Sequence, residues 1–197
     1  MPYITTRALI VTIILIPAVI ILSKKKLLSK KPVVCIVGAV GLLLASLIAI
    51  FPVENIFVRF NTVDEIFSYT TTGQIEKIIE GEHSCLVFYK RDNDEYAQTF
   101  FLKDENGYML SSFYSRSEIK KVNVTDKVLS ICNISDTSDY YITGFLSTET
   151  DDIKLASDKG EVISDSCYFS ERDIFICFVK DYTEDIYLLC GEEKIEL

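Results

Sequence analysis

The residues best suited to chemistry in this chain stand together at His83-Ser84-Cys85. A histidine beside a thiol or hydroxyl is the minimum equipment for base-assisted activation of a nucleophile. His83 is the only histidine in 197 residues. On a strand, alternate side chains share a face, so His83 and Cys85 would point one way and Ser84 the other. One reading is therefore a thiol-dependent or other hydrolase centred on Cys85 and His83. The simpler reading is a surface histidine beside a buried cysteine. No Gly-x-Ser-x-Gly, P-loop or Gly-x-Gly-x-x-Gly pattern accompanies the pair.

Metal and cofactor chemistry has little to work with. One histidine and no Cys-x-x-Cys leave few ligands for a transition metal, and we expect neither metal nor cofactor. Carboxylates gather at Asp92/Asp94/Glu95, Asp104/Glu105 and Asp151/Asp152. Asp92-x-Asp94 opens like a calcium loop, but Tyr96 stands at the fifth position and Ala97 where glycine is required. All three clusters read as solvated turns. The 11 Tyr and 12 Phe fit alternating core faces, and Tyr140-Tyr141 must place one ring on each face of a strand. A stacking site for sugar or peptide is weakened by the absence of Trp.

Six cysteines are present: Cys35, and five more at Cys85, Cys132, Cys167, Cys177 and Cys190. Five is odd, so at least one stays unpaired in a monomer. Each lies in an apolar, strand-like context, which favours small buried hydrophobes. In an oxidising compartment one or two disulfides would form, with connectivity left open.

The elements that must carry these residues follow from charge and hydropathy. The stretch Ser23–Lys31 holds Lys24, Lys25, Lys26, Lys30 and Lys31, flanked by the apolar runs Ala8–Leu22 and Val33–Phe51. Each lysine at a bilayer centre would cost about 2.5–3.5 kcal/mol, so this stretch must be a loop outside the hydrocarbon. Positive loops stay cytoplasmic. The expected topology is a two-helix transmembrane hairpin over residues 1–51. Its spans are about 3–22 and 33–51, and its basic cytoplasmic loop is 23–32. Both termini and the domain 52–197 then lie outside the cytoplasm. The positive charges follow the first run, and no small-x-small site precedes them, so the run reads as a retained span rather than a signal peptide. On the second run Gly41, Ala45 and Ala49 recur every fourth residue with Gly38 nearby, a small-residue stripe suited to close helix packing.

Residues 52–197 carry 14 of the 20 Lys and Arg against all 29 Asp and Glu, a net charge of −15. Such a domain is repelled by nucleic acid, and DNA or RNA is not an expected partner. Thr62-x-x-Glu65 is a capping box that opens a short helix near Val63–Tyr69. From Ser84 onward short strands alternate with turn clusters. They are expected at Cys85–Lys90, Tyr96–Lys103, Tyr108–Tyr114, Lys127–Ile134, Tyr140–Ser147, Asp152–Ala156, Glu161–Phe169, Ile174–Val179, Ile186–Cys190 and Lys194–Leu197. Asn106-Gly107 marks a hairpin, and Ile174–Val179 reads as a central strand buried on both faces. Gln74–Glu80 fits helix or strand.

The expected fold is thus a transmembrane hairpin followed by a mainly-β antiparallel domain, sandwich or barrel-like, with one short helix near its start. The function it suggests is a membrane-anchored, extracytoplasmic interaction or sensing module without enzymatic activity, partnered by another membrane or surface protein. After the hydrolase, a second alternative is a small-ligand-binding accessory of a membrane complex, which uses the β-domain interior and requires a sizeable apolar cavity with a few polar groups.

Overall fold

The computed structural model describes residues 2–26, 31–112, 115–124, 127–134, 137–145, 153–158, 162–164, 167–169, 173–191 and 193–197. The helices are α1 (Pro2–Lys24), α2 (Lys31–Ile50) and α3 (Val63–Thr70). The strands are β1 (Gln74–Glu80), β2 (Ser84–Lys90), β3 (Tyr96–Asp104), β4 (Gly107–Leu110), β5 (Arg116–Val124), β6 (Lys127–Ile134) and β7 (Asp139–Phe145). They continue as β8 (Ile153–Ser157), β9 (Val162–Ser164), β10 (Cys167–Phe169), β11 (Ile174–Lys180), β12 (Ile186–Cys190) and β13 (Glu193–Glu196). The chain divides into two compact units, Met1–Thr72 with Asn106–Phe113, and Gly73–Glu105 with Tyr114–Leu197.

In the first unit α1 contains a 20-residue apolar stretch, Thr5–Lys24, long and apolar enough to cross a membrane. The apolar part of α2, Pro32–Ile48, is shorter. Two hydroxyls inside these helices are satisfied within their own turns: Thr12 Oγ1 donates to Ala8 O at 2.7 Å and Ser46 Oγ to Leu42 O at 2.9 Å. That is what a lipid surround demands. The two helices pack on each other. Lys24 closes α1, where its charge suits the helix C-terminus. Lys25 and Lys26 follow in a turn and Lys31 begins α2, while Lys30 lies outside the described residues.

After α2 a single 3-10 turn, Val53–Ile56, leads toward α3. The capping box forms at Thr62, whose Oγ1 accepts the Glu65 N–H at 3.2 Å. The return bond differs from the expected one: Glu65 Oε2 reaches the N–H of Asn61, one residue earlier, at 2.9 Å. Val63, Ile66 and Phe67 make the buried face of α3, which lies against α1 and β4. β4 begins at Gly107, so the turn before it is Glu105-Asn106, one residue earlier than the expected Asn106-Gly107. Gly107 has φ +123°, and a Cβ there would collide with the Phe60 carbonyl. Phe60 and Tyr108 exchange backbone hydrogen bonds at 3.1 and 2.8 Å.

The second unit contains open antiparallel sheets, none closed into a barrel among the described residues. β1, β2 and β3 run side by side; a second sheet has the order β10-β11-β7-β6-β5, and a third β13-β12-β8-β9. The five-stranded sheet is covered on both faces. Against β1–β3 it buries Ile134, Tyr141, Ile174 and Ile176 with Ile79, Leu86, Phe88 and Phe100. Its other face packs Leu129, Ile131, Ile142, Phe175 and Cys177 on Leu155, Ile186 and Leu188 of the third sheet. β11 therefore packs on both faces, as its unbroken apolar run requires.

The structure departs from the sequence reading in three places. The single strand expected over Glu161–Phe169 is two: β9 pairs with β8, and β10 with β11. The two residues between them, Asp165 and Ser166, lie outside the described residues. The strand expected over Tyr108–Tyr114 stops at Leu110, before Ser111-Ser112. β5 escapes the sequence reading altogether. It is an edge strand with a bulge between Glu118 and Lys120 and mostly exposed polar side chains, so it carries no apolar alternation.

Candidate functional site

The hairpin joining β1 to β2 brings Gly81, Glu82, His83 and Ser84 against the start of β7, where Asp139 is fully buried. A buried carboxylate must find donors. Asp139 accepts the backbone N–H of Glu82 at 3.2 Å and of His83 at 2.8 Å, and the Ser84 hydroxyl at 2.6 Å. Ser84 Oγ also lies 3.0 Å from the Tyr141 hydroxyl. Serine has one proton, and it goes to Asp139, so Tyr141 donates to Ser84. The order Tyr141→Ser84→Asp139 is a closed relay. Burial, foremost, pushes the Tyr141 phenol well above its ordinary range, so it remains a donor. Gly81 is required here: a Cβ would collide with Asp139 Oδ2 and lie 2.7 Å from the Tyr141 oxygen and 2.9 Å from the Phe178 ring.

Ser84 is wholly inaccessible. The cluster fastens a hairpin to a strand and presents no nucleophile to solvent. His83 precedes β2, which starts at Ser84, so it is exposed in the turn and not on a shared strand face with Cys85. Its main chain is engaged, the carbonyl accepting from Lys103 N at 2.8 Å. Cys85 is fully buried, and desolvation with the nearby Glu80 charge pushes its thiol up to about 12. A nucleophilic cysteine needs the opposite shift.

The other candidate is an open groove of about 830 Å³ in the same unit, between β2–β3 and the β5–β7 face of the five-stranded sheet. Phe88 and Tyr96 stack at 5.2 Å along one wall. On β5, Arg116 lies over the Phe100 ring at 5.0 Å and donates to Cys132 Sγ at 3.1 Å. Glu118 accepts from Ser130 at 3.0 Å and pairs with Lys121 at 3.2 Å. Those two partners, Ser130 first, hold its carboxyl below the usual range. The groove offers aromatic faces and fixed charges of both signs.

The cysteines separate into two kinds. Cys167 and Cys177 face each other across β10 and β11 and form a disulfide. Cys85, Cys132 and Cys190 are buried, and Cys35 is exposed on α2. Of the small residues on α2, Gly41 faces α1, its Cβ position 3.3 Å from Leu15 Cδ1. Nothing lies within 4 Å of that position at Gly38, Ala45 is exposed, and the Ala49 side chain lies outside the described residues. Among the described residues, no group of three or more His, Cys, Asp or Glu is placed to hold a metal. Asp94 instead pairs with Lys90 at 2.6 Å, and Asp151/Asp152 lie outside the described residues.

Asp139 and the groove residues of β5 were invisible to motif reading, because their partners are distant in sequence. The one available signal was Tyr140-Tyr141: Tyr141 enters the relay while Tyr140 turns to the other face and meets Tyr182 at 5.8 Å. Comparison with protein families, curated proteins and solved structures finds no match.

Proposed function

We propose that this chain is a two-span membrane protein. The loop 23–32 faces the cytoplasm, and the β-rich domain stands outside as a non-enzymatic interaction or sensing module. The observation that carries this reading is an apolar N-terminal helix of membrane-spanning length followed by a β-rich unit. The Cys167–Cys177 disulfide agrees with an oxidising compartment. The ion pair between Arg7, near the start of α1, and Glu54, just past α2, brings both ends of the helix pair to one level, as a hairpin requires. The buried, deactivated Cys85 thiol and the inaccessible Ser84 weigh against a hydrolase centred on Cys85 and His83.

The native thiols of the domain are buried, so topology is best tested with a new one. Ile119→Cys on β5 places a thiol at an exposed position. An impermeant maleimide should label it in intact cells. Labelling only after lysis would place the domain in the cytoplasm and overturn the proposal. A second reading, a ligand-binding accessory, rests on the open 830 Å³ groove, a surface cleft and not the apolar interior cavity expected for it. It predicts that Arg116→Ala and Tyr96→Ala abolish a ligand-dependent phenotype while Cys85 stays shielded from alkylation.

A further inference from the structure

The 3-10 turn after α2 is held in an unusual way. Glu54 is almost fully buried and takes the Arg7 guanidinium on both oxygens, at 2.8 and 3.3 Å. Asn55 pairs with the backbone of Leu110 twice: its Nδ2 donates to Leu110 O at 2.8 Å and its Oδ1 accepts Leu110 N at 2.9 Å. The polar residues of the turn thus point inward and are locked. Ile56, at its end, and the apolar residues that follow point outward. Ile56 is 74% exposed and Phe57 82%, with Val58 and Phe51 also exposed. A segment whose polar groups are buried and whose largest hydrophobes face out is inverted relative to a water-facing loop.

Its depth follows from Arg7. The membrane-length stretch of α1 begins at Thr5, so Arg7 lies two residues in, about 3 Å along the axis. Arg7 also stacks on Tyr3 at 4.1 Å, and tyrosine with arginine is an interfacial pair. Glu54 binds Arg7, so the turn two residues before Ile56 sits at the level where α1 enters the bilayer.

We infer that Ile56 and Phe57 form a wedge seated in the lipid headgroup and upper acyl region. The turn thereby becomes a second, peripheral anchor that fixes how the first unit meets the membrane. The occupant of this apolar surface is the bilayer itself. The inference rests on α1 being a membrane span. It does not require α2 to be one, because the depth is set by the Arg7–Glu54 pair.

The chain contains no tryptophan, so a single Phe57→Trp substitution creates a unique fluorophore in the full-length protein. Phe57 is exposed, so the change leaves the core untouched. The protein is reconstituted in phosphatidylcholine vesicles, with lipids brominated either near the headgroup or deep in the chain. Ile13→Trp, at the middle of α1, is the reference. Phe57→Trp emission should shift to the blue relative to free tryptophan and be quenched most by the shallow bromines, while Ile13→Trp is quenched most by the deep ones. A quenched Ile13→Trp with unquenched Phe57→Trp would overturn the wedge and leave the span intact. Red emission would then mean exposure to water, and blue emission would mean coverage by protein. If neither is quenched, the span itself fails and the wedge with it.

Discussion

Asp139 shows how much one side chain can hold when it ends three hydrogen bonds in a dry site. Removing the acceptor leaves three donors unsatisfied, so Asp139→Ala should cost about 3 kcal/mol or more, and Ser84→Ala about 1–3 kcal/mol. Cys85 provides the readout, since it lies next to Ser84 and is buried. Its alkylation by a neutral maleimide should be slow in the native full-length protein and accelerate in both variants. A variant in which Cys85 stays as protected as in the parent would show that the relay does not hold the hairpin. The thiol also gives a pH prediction. Its folded value, about 12, lies above the ordinary 9.0, so the stability it contributes is complete below 9 and is lost as pH rises toward 12. Cys85→Ala should flatten the alkaline fall in unfolding midpoint.

Elements depend on contacts that one added atom can break. Gly144 lies in β7, between β6 and β11; a Cβ there would collide with the Val128 carbonyl and lie 2.9 Å from Leu129 Cα. Gly144→Val should cost about 3 kcal/mol by overpacking, seen as a lowered urea midpoint. The Thr62 cap is worth less. Thr62→Ala should cost about 1 kcal/mol and fray the start of α3. The β10–β11 disulfide closes a loop of sequence separation 10. Reduction should lower stability by about 2–3 kcal/mol, read as a lower urea midpoint, with the bond itself checked by the mass of the linked peptides after proteolysis without reduction. At the exposed edge, the bulge and the lysines of β5 do a different job: they discourage a second chain from pairing there.

For the whole molecule, charge sets the response to acid. Glu82 pairs with Lys180 at 2.7 Å, and that hydrogen bond holds its carboxyl below the usual range; Glu118 is held low by Ser130 and Lys121. Lowered carboxyls stabilise the fold above their unfolded value and lose that contribution as pH falls through the folded one. The urea midpoint should therefore decline as pH drops below 4.5, and less so in a Lys180→Ala, Lys121→Ala double variant. A decline of equal size in the double variant would assign the acid sensitivity elsewhere.

Some of this protein is determined locally and is legible in the chain. Thr5–Lys24 needs only its own hydropathy to be a long apolar helix, and Thr62-x-x-Glu65 needs only its spacing to start α3. The run Ile174–Lys180 needs only its apolar content to be an interior strand. Each of these rests on backbone geometry and burial acting over a few residues. The site features are different in kind. Asp139 meets residues more than fifty positions away, and Cys167 meets Cys177 only because β10 and β11 pair in one register. The groove is lined by residues of β2, β3, β5, β6 and β7 that are distant in sequence. Such features depend on which strands become neighbours, and that is decided by the packing of whole sheets, a contest among many weak apolar contacts that no short pattern of residues encodes.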